Sequence, residues 1–111
     1  MSYQVITTRQ AESDIEAAYQ WAANYSPEKA MLWYFDVQEA IESLANFPAR
    51  CPLAPESVTF GQEIRHLLVG KYRILFHIDD ETVYVTHVRH SARQTLAPEE
   101  AEDHEPNSFE R

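Results

Sequence analysis

The segment SPEKAMLWYFDVQEAIESLANFP, residues 26–48, constrains the fold most. Ala30, Trp33, Tyr34, Val37, Ile41 and Leu44 recur at helical spacing and form the strongest periodic stripe in the chain. Ser26 is a good N-cap and Pro27 a good first helical residue, so the start is marked. Pro48 disfavours helical geometry at the residue before it, which predicts an end near Phe47. An apolar stripe of this length needs a surface to cover it. Trp33 and Tyr34, lying on it, are expected in the core.

The preceding stretch, RQAESDIEAAYQWAANY, supplies a second stripe through Ile15, Ala18, Tyr19 and Ala22. Glu12, Asp14 and Glu16 sit in its early turns, where carboxylates suit the positive end of the helix dipole. The two helices are separated only by NYSP and should form a hairpin. Ahead of them YQVIT, residues 3–7, reads as a short strand. Behind them come EIRHLLV, YRILFHI and TVYVTHVRH, linked by Gly70-Lys71 and by Asp79-Asp80-Glu81, which predicts an antiparallel meander. In the middle run Tyr72, Ile74, Phe76 and Ile78 share one face, expected against the helices. Arg73, Leu75 and His77 share the other, expected to be open. The last run loses phase between Val85 and Val88, which a bulge or twist near His87 would reconcile. The fold class is therefore α+β, β-α-α-β-β-β, with the helical hairpin packed on one sheet face. Residues 48–61, with three prolines, read as an irregular connection.

Length and charge narrow the function. With 111 residues the chain supports one core, placed in residues 1–95, while residues 96–111 read as an acidic and mobile tail. No run approaches the roughly 18 apolar residues of a membrane span, and MSYQVITTRQ lacks the pattern of a signal peptide, so a cytoplasmic protein with no membrane partner is expected. Cys51 is alone and is read as a passive thiol. Only Gly61 and Gly70 are present, which excludes a glycine-rich phosphate loop and leaves no cofactor expected. No metal site is expected either, because His87 and His90 are three apart on a strand and point to opposite faces.

The formal net charge is -9, yet residues 64–93 carry Arg65, Lys71, Arg73, Arg89 and Arg93 against Asp79, Asp80 and Glu81. The same stretch holds His66, His77, His87 and His90. A basic patch on an acidic body suits an anionic ligand or an acidic segment of a partner. His77 and His87 are read as structural, whereas His66 and His90 lie near arginines and are candidates for function.

With AESDIEAAYQW in its first helix, AIESLANFP closing the second, IRHLLVGKYRILFHIDDETVYV as its hairpin and HVRHSAR at its end, the chain resembles the RelE/ParE superfamily of toxins. These belong to type II toxin–antitoxin modules, also called plasmid stabilisation systems. The resemblance spans residues 3–93 and implies a growth inhibitor held by a cognate antitoxin, as a hetero-oligomer or a homodimer.

It also implies one of two mechanisms. RelE-type members cut messenger RNA on the ribosome, whereas ParE-type members poison DNA gyrase. Cleavage would need proton transfer and cations beside a phosphate, roles open to His66 or His90 with Arg65, Arg73 and Arg93. Arg73 matches the arginine of the family's YR strand motif. Arg65 or His66 falls where RelE-type members carry basic residues, and the alignment there is open by one position. Partner binding would draw on Arg65, Arg73, Arg89 and Arg93.

Nine lysines and arginines against eighteen acids favour the gyrase-directed mode over docking on ribosomal RNA. A homologue that has lost toxicity and only binds its antitoxin is the third class. In the gyrase-directed mode the protein would not be a nuclease, so enzymatic activity stays open. Arg73→Ala is expected to weaken toxicity without unfolding the chain.

Overall fold

The computed structural model describes residues 2–91. In chain order it contains β1 (Gln4–Thr7), α1 (Arg9–Ala23), α2 (Pro27–Ser43), a 3-10 turn at Pro48–Arg50, a short helix α3 (Glu56–Phe60), β2 (Arg65–Val69), β3 (Tyr72–Asp79) and β4 (Thr82–His90). The start of α2 follows its sequence cue at Ser26, and Thr8 caps α1 in the same way. Thr8 Oγ1 accepts the Ala11 N–H at 3.2 Å, and Ser26 Oγ accepts the Lys29 N–H at 3.2 Å, each satisfying a donor that the helix itself leaves unpaired.

The end of α2 departs from expectation. The helix stops at Ser43, with Leu44 as C-cap, four residues before Phe47. Arg50 turns back and donates to the carbonyls of Asn46 at 2.5 Å and Phe47 at 3.1 Å, while the Ala45 carbonyl accepts from the Tyr3 N–H at 2.8 Å. Those carbonyls gain a cation and a strand partner that a longer helix would deny them.

The four strands form one mixed sheet in the order β1-β4-β3-β2. The expected meander is present, with β2 antiparallel to β3 and β3 antiparallel to β4. The first strand, which the sequence left unplaced, runs parallel to β4 at the sheet edge. Gly70 takes a φ of 59° in the two-residue turn between β2 and β3, a conformation that needs no Cβ. Between β3 and β4 the register shifts at Leu75/Phe76: Val85 opposes Phe76, His87 opposes Leu75, and Thr86 is the extra residue. This bulge puts Val83, Val85 and Val88 on one face and sends His87 to the other.

The helical hairpin covers that first face. Ala11, Ile15, Val37, Ile41 and Leu44 interlock with Ile74, Phe76, Val83, Val85 and Val88 in the main core. Trp33 packs at its edge, 5.0 Å from the Tyr72 ring, but Tyr34 points to solvent, contrary to the core placement read from the stripe. The stripe is wider than the sheet can cover.

The second face is not open. Residues 48–61 form a strap across it, and Ala54 and Ile64 close over Leu75 in a smaller core with Phe60 alongside. The strap is fastened by backbone bonds from Ala54 N–H to Ile64 O at 2.6 Å and from His66 N–H to Pro52 O at 3.2 Å. The Ser57 hydroxyl also bonds both the N–H and the carbonyl of Ile64 at 2.9 Å.

Candidate functional site

Cross-strand register divides the basic residues between the two faces. Partners directly opposite on neighbouring strands share a face. Arg73 opposes Leu68 and Arg89, and His66 opposes Leu75, so His66, Arg73 and Arg89 lie on the strap side. Arg65 opposes the core residue Phe76, and His90 opposes Tyr72, which places both on the helix side. The expectation that Arg65, Arg73 and His90 gather on one working face is corrected by this pairing. His87 and His90 do fall on opposite faces. Arg93 lies outside the described residues, as do the tail and the boundary placed at residue 95.

Arg73 is the centre of the strap side, and it is buried rather than open. Its Nη1 and Nη2 donate to Glu56 Oε1 and Oε2 at 3.1 and 2.6 Å, a two-pronged match of guanidinium to carboxylate. Glu56 comes from the first turn of α3 and is fully enclosed by the strap. The pair also relieves a conflict. Arg73 and Arg89 stand directly opposite each other, and two like charges in that position repel unless an anion lies nearby.

His66 completes the cluster, with its Nδ1 3.3 Å from Arg73 Nη1. A guanidinium can only donate, so the imidazole accepts through Nδ1 and is neutral in this contact, with its proton on Nε2. Burial pushes the His66 pKa down and the charge of Arg73 pushes it further, against a smaller opposing pull from Glu56. For Glu56, burial acts upward, but the hydrogen bonds from Arg73 and its own backbone, together with the charge of Arg73, outweigh it. The carboxyl is held below its ordinary value. The cluster is therefore a neutral histidine beside a closed ion pair.

Arg65 does different work. Its Nη1 donates to Cys51 O at 2.7 Å and, more weakly, to Ala49 O at 3.4 Å, and its Nη2 is 3.8 Å from Glu63. It ties down the start of the strap. His90 is exposed and meets the Tyr72 ring edge-on at 5.1 Å. Beyond the strap's end, His77 and His87 line an open cleft of about 350 Å3 with Phe60, Gln62, Thr8 and Thr86. Among the described residues no group of three or more histidine, cysteine or carboxylate side chains gathers as a metal site, and no helix is long and apolar enough to cross a membrane.

Glu56 is the residue that sequence reading missed. One signal was available: in CPLAPESVTF it is the only charged side chain, inside a proline-bounded run otherwise suited to burial. A lone carboxylate carried under such a run needs a cation partner.

Comparison with known proteins identifies the framework. Toxin RelE2 of Caulobacter vibrioides is 30% identical over 90 residues, covering 81% of this chain and 97% of that protein. Among solved structures, the chromosomal ParDE toxin–antitoxin system of P. aeruginosa aligns with a TM-score of 0.65 at 20% identity, over 80% of this chain and 96% of the other. The RelBE2 toxin–antitoxin complex of Mycobacterium tuberculosis aligns with a TM-score of 0.54 at 26% identity, over 81% and 99%. Residues 5–95 match the family described as the ParE toxin of the type II toxin–antitoxin system parDE, which with the fold makes this chain a member of the RelE/ParE superfamily of type II toxins.

Proposed function

We propose that this chain inhibits growth when free of its antitoxin, that it acts in the ParE manner on DNA gyrase, and that it does not cleave RNA. The closed Glu56–Arg73 pair carries the reading. A scissile phosphate would have to displace a fully enclosed carboxylate from the only arginine that matches the family's strand motif. Charge stabilisation by a fork already filled adds nothing to a transition state. His66 accepts from Arg73 and so holds no proton on the nitrogen that faces the cluster. His90, the other proton-transfer candidate, sits across the sheet. The overall charge of -9 also opposes docking on ribosomal RNA.

The cognate antitoxin is the natural partner, in the cytoplasm where the target is found. The outer edge of β2 suits strand addition. Its pairing to the strap ends at His66, and Leu68 is 63% exposed beyond it.

A RelE-like reading has two observations in its favour: the 30% identical relative carries the name Toxin RelE2, and a structural neighbour at 26% identity is a RelBE2 complex. Inducible expression without antitoxin separates the two readings. Growth arrest with blocked supercoiling, reproduced with purified gyrase, is the expected result. Translation-dependent mRNA cleavage would overturn it in favour of the nuclease. Unaffected growth with folded protein present would leave only the antitoxin-binding role.

A further inference from the structure

The cleft past the end of the strap, about 350 Å3 in volume, falls in the range of about 300–1,000 Å3 usual for small-ligand sites. Three parts of the chain build it. Gln10 comes from the start of α1, Phe60 and Gln62 from the end of the strap, and His77, Thr86 and His87 from the sheet. Gly61, with a φ of 71°, turns the chain between Phe60 and Gln62 so that both border the cleft. The bulge shapes the floor. Neighbours on a regular strand point to opposite faces, yet Thr86 and His87 both line the cleft, because Thr86 is the extra residue of β4. The two imidazoles are held in place by other rings. His77 stacks on Tyr84 with centroids 5.3 Å apart, and His87 meets Phe60 edge-on at 6.0 Å.

The lining decides what fits. No lysine, arginine, aspartate or glutamate is part of it, so neither an anion nor a cation finds a partner there. The two histidines do not make a metal centre, since no third histidine, cysteine or carboxylate joins them among the described residues. What the cleft offers is amide, hydroxyl and imidazole beside an aromatic ring. Amides and imidazoles both donate and accept, whereas a carboxylate only accepts and a guanidinium only donates. Such a lining suits a flat, uncharged ring that presents donors and acceptors side by side. The edge of a nucleobase does so, and a glutamine amide matches the adjacent donor and acceptor of adenine. Gln62 is exposed and brings a whole amide, while Gln10 spends its Nε2 on Asp14 Oδ1 at 2.8 Å and keeps its carbonyl oxygen to accept. Nδ1 of His77 is buried, which leaves Nε2 as the nitrogen available to a ligand. We propose that the cleft binds an uncharged purine base, read at its edge by Gln10, Gln62 and His77 and packed against Phe60. The base arrives either as a free nucleoside or unpaired in a single strand. The site is separate from the Arg73–Glu56 pair and does not depend on which target the toxin has.

The test titrates the full-length, 15N-labelled chain with adenosine and follows the amide resonances. Those of Gln62, Thr86 and His87 should shift saturably, with a Kd below about 1 mM, while Val37 and Ile41 in the main core stay still. Adenosine 5′-monophosphate should bind no tighter than adenosine, because no cation waits for its phosphate. A single-stranded pentamer of deoxyadenosine separates the two sources: tighter binding than adenosine identifies a base carried in a strand, weaker binding a free nucleoside. Gln62→Ala should weaken adenosine at least about threefold. His77→Leu, which keeps the bulk and removes the ring nitrogens, should weaken it about tenfold. Gln62 is exposed, so its variant keeps the fold, and circular dichroism verifies both. Absence of saturable shifts up to about 10 mM adenosine overturns the proposal, as do shifts that both variants leave unchanged. Tighter binding of the monophosphate than of adenosine overturns it too, since the ligand would then be an anion.

Discussion

The two faces of the sheet are stabilised by different physics. The helix face is an apolar interlock, in which Phe76, Ile74 and three valines meet the inward stripes of α1 and α2. The strap face combines a small apolar patch with a buried ion pair and a neutral histidine. Apolar contacts are non-directional and tolerate repacking, whereas a buried charge is stable only while its partner stays in place. The helix face should therefore lose stability in proportion to the volume removed. The strap face should respond to whether charges remain matched.

Two substitutions set up the contrast. Phe76→Ala on the helix face should cost about 3–5 kcal/mol in urea unfolding, from lost transfer energy and the cavity left behind. On the strap face Glu56→Ala strands a buried guanidinium, and breaking such a pair costs about 3–5 kcal/mol. The faces then diverge on rescue. Glu56→Leu combined with Arg73→Met should recover most of the loss, because a well-packed apolar replacement of a buried pair is often neutral or stabilising. A double variant as unstable as Glu56→Ala would break the comparison. The same reasoning revises Arg73→Ala as a functional probe. With Arg73 enclosed, that change leaves Glu56 charged and unpartnered, so a loss of toxicity has to be read beside a stability measurement.

Acid should loosen the strap face before the helix face. The folded-state pKa of His66 is depressed, so as pH falls below the ordinary histidine value of 6.5 the unfolded chain takes up a proton that the folded chain refuses, and stability declines. Glu56 is also depressed. Its contribution is complete above the ordinary 4.5 and is lost as pH falls through the folded value. Denaturation between pH 8 and pH 4 should give a decline that begins near the histidine range and steepens in the carboxylate range. His66→Gln should remove the upper part only. An unchanged slope in that variant between about pH 6.5 and 5 would show that His66 is not its source.

The same division governs how much of the molecule is readable from its sequence. The helix face is written in periods: 3.6 through Val37, Ile41 and Leu44, and 2 through Ile74 and Phe76. Even the lost phase between Val85 and Val88 pointed to an irregularity near His87, and Thr86 supplies it. Pairing across 17 residues between Glu56 and Arg73 has no period, and nothing local in GKYRILF tells an exposed arginine from one closed under a strap. Arg65 and His66 are adjacent on a strand, so one residue of register decides which joins the cluster. The structure puts His66 beside Arg73 and turns Arg65 to the other side. Parallel pairing of β1 with β4 was equally illegible, because a four-residue strand carries no mark of its neighbour.

Arg65 gives the smallest and most local test of the comparison. Its guanidinium holds the carbonyls of Cys51 and Ala49, and the Leu53–Arg65 bridge and the Ala54–Ile64 bond follow directly along the chain. A charge-assisted bond of this type is worth about 1.5–3 kcal/mol, and water can recover part of it at a partly exposed position, so Arg65→Ala should cost about 1.5 kcal/mol. The loss should be confined to the strap if the strap face opens as its own unit. Amide exchange at Ala54 and His66, which bond Ile64 and Pro52, should then accelerate about tenfold, with Val37 and Ile41 in α2 unchanged. Equal acceleration at all four amides would mean that strap and helical hairpin unfold together, and the two faces would then form one cooperative body despite their different chemistry.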